Sequence, residues 1–305
     1  MKRIEFEAAP ETAEMQQQRA DLLDQLRQDQ AVQEFFERSH VPARELSANA
    51  YMIDAWRRNM SLCKGCAGLQ ECRQTRRGMR AGLQYDGILK DTVDACEYQV
   101  RKERAEAHLS HYLVSDLGEE FAAVSFAGIR LDRESGDYVT ALRTVMQACH
   151  AGEGVYLYGN MGSGKTYLAA CAANQYARAG ASVAFVHCPA FCERISRLQR
   201  TGEYRPEAER LSFARFLVLD DIGAEEVTER SRAVMLAVLD ARMRNHLPTW
   251  FTSNADFPAL ESHFLVTGKG RDTMEAQRLM ERIRTLSKPV LLLGDDRRME
   301  DRSAG

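Results

Sequence analysis

The sequence predicts an α/β fold, a parallel sheet with helices on both faces, preceded by a small, mainly helical, cysteine-bearing domain. Three observations carry this reading. From Gly118 onward, short apolar runs alternate with longer helical segments. One of those runs passes directly into Gly159-Asn160-Met161-Gly162-Ser163-Gly164-Lys165-Thr166, which matches G-x-x-x-x-G-K-[ST]. Ahead of the alternation lies a stretch short of aliphatic residues that holds Cys63, Cys66, Cys72 and Cys96.

Between Pro10 and Ser39 there is no internal Pro or Gly. Leu22, Leu23, Leu26, Val32, Phe35 and Phe36 recur there at helical spacing, which predicts one or two amphipathic helices. Most of that stripe is expected to pack on its own domain, with part of it free to dock a partner protein. A charged run from Arg101 to His108 then predicts a helical linker reaching to about Gly118. The expected boundaries are 1–104 for the N-terminal domain, 105–117 for the linker and 118–305 for the α/β domain.

In the second domain the expected strands are Val155–Tyr158, Ser182–Val186, Phe216–Leu219, Thr249–Thr252 and Val290–Leu293. Their connections are too long for hairpins. Unbroken apolar runs such as FLVL fit strands buried on both faces.

The chemistry is written at the ends of these strands. Glycines let the loop turn tightly and bring backbone N–H groups against phosphate oxygens. A helix starting at Lys165 would aim its positive end at the same anion. Lys165 is expected on the β- and γ-phosphates of ATP, and the Thr166 hydroxyl on Mg²⁺. The strand Phe216–Leu219 ends in Asp220 and Asp221. A parallel strand beside the first would bring both carboxylates to the phosphate loop. Asp220 is then expected to hold Mg²⁺ and Asp221 to polarise the attacking water. Asn254 closes a third strand and is placed to orient that water. Arg278 and Arg282 are four apart on a helical run and share a face. One arginine of this run is expected on the γ-phosphate and another on a neighbouring subunit.

The chain of 305 residues carries 41 basic and 44 acidic ones, a formal charge of −3. That near-neutrality excludes a uniformly basic nucleic-acid coat, and 20 Gly with 7 Pro exclude a collagen-like chain. It hides an acidic excess up to Ala55 followed by a basic excess from Trp56 to Arg104. No apolar run approaches the roughly 20 residues that span a bilayer, and the start has no apolar signal segment. A cytoplasmic protein with reduced thiols is expected, without a membrane partner.

In such a compartment Cys63-Lys-Gly-Cys66 has the spacing of a metal knuckle, and Cys72 and Cys96 complete a four-thiolate set for Zn²⁺. His108 and His111 are the alternative ligands should Cys72 not take part. A redox C-x-x-C is the rival, but it would be expected beside a βαβ pattern. Cys149, Cys171, Cys188 and Cys192 lie among Ala and Val and read as small buried hydrophobes. Arg73, Arg76, Arg77 and Arg80 suit either phosphate, solvent or an acidic partner face.

The combination GNMGSGKT, FLVLDDIGAE, TWFTSNAD and RLMERIRTLS resembles the bacterial DnaC/DnaI group of AAA+ ATPases, over roughly Gly118 to Gly294. The DDIGAE and PTWFTSN segments are shared with transposition helper ATPases of the IstB type. The resemblance implies an AAA+ ATPase domain in which Asn254 is the sensor-1 residue and Arg282 the sensor-2 arginine. Arg278 and Arg271 are both candidates for the inter-subunit contact. Many proteins outside this group carry Asp-Glu at the positions of Asp220-Asp221.

A cysteine-bearing domain ahead of the ATPase looks like the helicase-loader branch. The resemblance implies that the N-terminal domain binds a ring-shaped replicative helicase. It implies that the ATPase domain engages single-stranded DNA, with self-assembly, through the region of Arg194, Arg197, Arg200 and Arg205, where Phe191 and Tyr204 are the aromatics near enough to stack on bases. Two other readings stand beside it: an IstB-like transposition helper, and a zinc adaptor that uses nucleotide only as a switch.

Overall fold

The computed structural model describes residues 12–132, 134–198, 203–226, 228–266 and 273–294. They form two compact units, Met1–Arg104 and Ala105–Gly305.

The first unit begins with helix α1 (Ala13–Gln28), capped by the Thr12 hydroxyl, and α2 (Gln30–Arg38). Asp29 separates them. Its extended backbone ends α1, and its carboxylate accepts the Ala31 and Val32 N–H groups to start α2. Helices α3 (Arg44–Ala48) and α4 (Ala50–Ser61) follow. Leu26, Val32, Phe35, Ile53 and Trp56 are buried together, so the N-terminal apolar stripe packs on its own unit. The unit is less purely helical than its sequence suggests. Strands β1 (Met79–Tyr85) and β2 (Leu89–Ala95) form an antiparallel hairpin before helix α5 (Glu97–Glu106). Asp86-Gly87 makes the turn, with Gly87 at φ +103°, and Leu89 joins the core.

The second unit is a six-stranded sheet in the order β3-β5-β6-β7-β4-β8, with every neighbouring pair parallel. The strands are β3 (Tyr112–Ser115), β4 (Val155–Tyr158), β5 (Val183–His187), β6 (Phe216–Asp220), β7 (Thr249–Ser253) and β8 (Lys288–Leu291). The helices are α6 (Gly136–Ala151), α7 (Lys165–Arg178), α8 (Cys188–Arg197), α9 (Arg205–Phe213), α10 (Glu229–Arg244), α11 (Phe257–Val266) and α12 (Thr273–Leu286). Alternation along the strands sorts the two faces. Val155, Leu157, Val183, Phe185, Phe216, Val218 and Trp250 pack with α6 and α7. Tyr156, Ala184, Val186, Leu217, Leu219 and Phe251 pack with α8 to α12. A sheet covered on both faces favours strands that are mostly apolar, as β4, β5 and the body of β6 are, while β7 also buries Thr249, Thr252 and Ser253.

The segment expected to be a linker carries secondary structure of its own. Residues 105–117 contain a short 3-10 turn, Ala107–His111, and then β3, whose residues pair with Val183, Ala184 and Phe185. Four residues are too few to show a period in the sequence, and β3 is set by its ladder to β5. Its neighbourhood is tied down by Asn174 of α7. That fully buried amide accepts the Tyr112 hydroxyl and donates to the carbonyls of Phe121 and Val124.

Two arginines of α10, Arg232 and Arg242, are buried. Arg242 is 0% exposed and has its pKa lowered to about 9 by desolvation. Its guanidinium donates to the Leu211, Ala214 and Pro248 carbonyls and the Thr249 hydroxyl at 2.7 to 2.9 Å. It thereby satisfies the carbonyl end of α9 and fixes where β7 begins.

Candidate nucleotide site

Strand β4 lies between β7 and β8, and β7 lies between β4 and β6. Three strands therefore end side by side in the same direction, which is where a parallel sheet opens a crevice. At the end of β4 the chain makes the glycine loop. Gly159, Gly162 and Gly164 hold φ of +148°, +81° and +92°. A Cβ on Gly159 would lie 2.1 Å from the Leu292 carbonyl oxygen, because the chain after β8 runs against the loop. Glycine is required there for close approach as well as for the turn. Lys165 is 8% exposed, and its ammonium donates to the Gly159 and Asn160 carbonyls at 3.0 and 2.7 Å. Ser163 is fully buried, while Met161 stands out at the loop tip.

Asp220 ends β6 and is 6% exposed. Its Oδ1 accepts the Thr166 hydroxyl at 2.9 Å and the Thr252 hydroxyl at 2.7 Å. Burial pushes its carboxyl above the usual range, against the two hydroxyl bonds, which pull it down. Asp221 turns out of the strand at φ +57°, a left-handed conformation uncommon for a residue with a side chain. Its N–H donates to the Thr252 hydroxyl at 2.9 Å, and its Oδ1 accepts from Asn254 Nδ2 at 3.2 Å. His187, at the end of β5, brings Nε2 to 3.9 Å from Asp221 Oδ2.

The phosphate loop, Asp220, Asp221 and Asn254 are thus one hydrogen-bonded set. Thr252 belongs to it and His187 stands beside it, beyond hydrogen-bond distance; neither was anticipated from the sequence. Thr252 had a signal: it is two residues before Asn254 and hence on the same face of β7. The meeting of the Thr166 hydroxyl with Asp220 supplies hard oxygen donors of the kind Mg²⁺ takes.

With this geometry the family can be read. The family model for the IstB-like ATP binding protein matches residues 72–304. The chain belongs to that family. It is also similar to the replicative helicase loader DnaI of Bacillus subtilis (strain 168), at 29% identity over 244 residues, covering 77% of this chain and 78% of that protein. A crystal structure of DnaI superposes with a TM-score of 0.52 at 29% identity, covering 62% of this chain and 98% of that one. The family membership agrees with an α/β ATP-binding domain on a central parallel sheet.

The arginines divide. Arg282 is half-buried on α12, and its guanidinium pairs with Asp240 of α10 and with Glu281. Arg278, one turn earlier, is exposed. Arg284 pairs with Glu261 and lies over the Phe257 ring. Arg194 is corrected as a candidate for DNA: it is engaged by both Asp116 oxygens, at 3.1 and 2.9 Å, and by Glu207 at 2.7 Å. Phe191 is 1% exposed and is core, not a stacking surface. Arg197 and Arg205 are exposed, and Tyr204 is partly buried. Arg200 and Arg271 lie outside the described residues.

All eight cysteines are free thiols. Cys149, Cys171, Cys188 and Cys192 are buried, and desolvation raises every one of these thiols, to about 12 for Cys149, Cys171 and Cys192. The other four share a neighbourhood. Gln74 donates to Cys63 Sγ at 3.2 Å, the Gly78 N–H to Cys72 Sγ at 3.4 Å, and the Cys96 N–H to the Gly78 carbonyl at 2.8 Å. Backbone N–H bonds from Gly78 and Gln74 lower the Cys72 thiol. Yet among the described residues no three His, Cys, Asp or Glu side chains converge enough to hold a metal ion. The expected four-thiolate zinc site is not formed as a convergent set; the sulfurs of Cys63, Cys66 and Cys72 bond instead to Gln74, Gly68 and Gly78.

A cation held by Asp220 would bind in a pH-dependent way, because burial raises this carboxyl. A carboxyl whose pKa lies above its unfolded value favours the protonated fold, so its stabilising effect is present below the unfolded pKa and lost as pH rises through the folded one. Mg²⁺ needs the ionised form. Calorimetry in buffers of different ionisation enthalpy should therefore show proton release on Mg²⁺-ATP binding at mildly acidic pH, and weaker Mg²⁺ dependence as pH falls. Binding with no proton release anywhere in the acid range would contradict the assignment.

Proposed function

We propose that this protein is an ATP-driven loader that places a ring-shaped replicative helicase on single-stranded DNA. The observation that carries the reading is a joined ATPase set, Lys165, Thr166, Asp220, Asp221 and Asn254, in a chain similar to DnaI over most of both lengths. In this reading Lys165 and the loop N–H groups hold the ATP phosphates. Thr166 and Asp220 hold Mg²⁺, which when bound neutralises phosphate charge. Asp221, aimed by Thr252 and Asn254, takes up a proton from the attacking water. Hydrolysis is slow alone and is stimulated by DNA or partner. Arg282 acts on the γ-phosphate from the same chain, which requires its release from Asp240, and exposed Arg278 serves a neighbouring subunit. Residues 1–104 form the helicase-binding domain, and the exposed Arg197 and Arg205 contribute phosphate contacts for single-stranded DNA.

The test is loading of the host's replicative helicase onto circular single-stranded DNA by the full-length chain with ATP. The expected result is ATP-dependent loading by the wild type and none by Lys165→Ala, which should also lose saturable ATP binding. Unchanged ATP affinity in that variant would remove the phosphate-loop assignment, and no helicase binding by the wild type would remove the loader. A second reading has its own support, since the matching family model is that of IstB-like proteins. ATP-dependent filaments on duplex DNA, without helicase binding, would favour a transposition helper.

Zinc belongs to the proposal through chemistry rather than geometry. The four thiols of this segment, with Cys63 bonded by Gln74 and Cys72 lowered by backbone N–H bonds from Gly78 and Gln74, are the donor type that Zn²⁺ selects. Elemental analysis of the purified full-length chain should find about one zinc per molecule, the stoichiometry of a single four-ligand site. It should fall in Cys63→Ser. Metal-free protein that binds helicase normally would leave the cysteines as a thiol cluster.

A further inference from the structure

One buried acid in the second unit has no part in the chemistry above. Glu225 closes the six-residue turn that leaves β6 through Asp220 and Asp221 and leads toward α10, and it is 2% exposed. Its Oε2 accepts the Gly223 N–H at 2.6 Å, while its Oε1 is buried without a hydrogen-bond partner. Burial pushes its carboxyl up. An acid with one oxygen unsatisfied is unfavourable, and such groups persist where the surroundings use them.

What the carboxylate holds is the turn that carries Asp221. Within three residues the backbone is left-handed twice, at Asp221 (φ +57°) and at Gly223 (φ +92°). From outside, β7 fixes the first part of this turn. The Asp221 N–H donates to the Thr252 hydroxyl, the Ile222 N–H to the Thr252 carbonyl at 2.9 Å, and the Ser253 hydroxyl to the Ile222 carbonyl at 2.6 Å. From inside, the turn is closed by a weak Ala224 N–H bond to the Asp221 carbonyl at 3.3 Å and by Glu225. A hydrogen bond to an ionised acceptor is roughly twice as strong as a neutral one. A Cβ at Gly223 would lie 2.7 Å from Leu260 Cδ1, so the buried Leu260 side chain packs directly on the turn. His263 of α11 brings Nε2 to 3.1 Å from the Glu225 carbonyl oxygen, which anchors the far end.

We infer that Glu225 is a positioning residue for ATP hydrolysis: its carboxylate, through Gly223, holds the left-handed turn that aims Asp221 at the attacking water. The inference rests on the ATPase reading above. It predicts an effect on turnover and not on nucleotide binding, because the phosphate loop and Asp220 are held by other bonds.

The experiment compares Glu225→Ala and Glu225→Gln in the full-length chain. It measures kcat, nucleotide affinity, melting temperature, and hydrogen exchange of the segment 220–226. In Glu225→Ala, kcat should fall roughly 10- to 100-fold, as expected for a misplaced catalytic group, with nucleotide affinity and melting temperature little changed and exchange faster at Gly223. Glu225→Gln keeps an acceptor without the charge, and its kcat should lie between the two. Wild-type kcat in Glu225→Ala, or unchanged protection at Gly223, overturns the inference. So does a parallel loss of affinity, kcat and melting temperature that Gln does not rescue, which would make Glu225 a fold residue. If the wild type hydrolyses no ATP, the ATPase reading fails, and this positioning role falls with it; where the wild type does hydrolyse ATP, unchanged exchange at Gly223 in Glu225→Ala sinks the inference alone.

Discussion

The Thr252 hydroxyl makes two hydrogen bonds, and most of the site depends on them. It donates to Asp220 at 2.7 Å and accepts the Asp221 N–H at 2.9 Å. The Asp220 carboxylate and the Asp221 backbone are therefore referenced to one atom of the neighbouring strand. Thr166 bonds the same Asp220 oxygen, so the phosphate loop is tied to that reference too. A buried carboxylate is tolerable only when it is well bonded, and here each bond is also a positional constraint. The sheet order is what makes this arrangement available. With β7 between β4 and β6, one threonine stands between the loop on one side and the acid pair on the other.

The rest of the second unit keeps those three strand ends in place. Apolar side chains lock β4, β6 and β7 between two helical layers. Arg242 fixes the start of β7 by satisfying carbonyls that would otherwise be stranded in the core. Gly159 lets the chain after β8 lie against the phosphate loop. These are ordinary packing demands, but they converge on the position of a few oxygen atoms. The arginines of α12 are less committed. Arg282 is held by Asp240 and Glu281, so a change of partner there would be a change of state.

Much of this was legible in the sequence, for identifiable reasons. The glycine loop announces itself because a Gly followed at fixed spacing by Gly-Lys-Thr, between a strand and a helix, has few other uses. The strands β4 and β6 are apolar runs that stop at the glycine loop and at Asp220, and β7 is a β-branched and aromatic run that stops at Asn254. What escaped was what depends on contacts across the fold. β3 is four residues long and acquires its identity from β5. The β1–β2 hairpin sits in a polar stretch where alternation is faint, although Asp86-Gly87 marks its turn. Thr252 and His187 become site residues only through the order of the strands. Arg194 looks like a phosphate contact in sequence and is an internal anchor in space, because Asp116 and Glu207 come from distant segments. The cysteine spacing suggested a closed metal site, and spacing alone does not make four sulfurs converge.

The central claim is that one hydroxyl on β7 aligns the acid pair for ATP hydrolysis. Thr252→Val keeps the shape of the side chain and removes both bonds, so steady-state ATP turnover and nucleotide affinity in this variant test it most directly. The account predicts a kcat lower by roughly tenfold or more, as misalignment at a reacting centre produces, in a protein that still binds ATP and melts as a single folded chain. Turnover at the wild-type rate would contradict it.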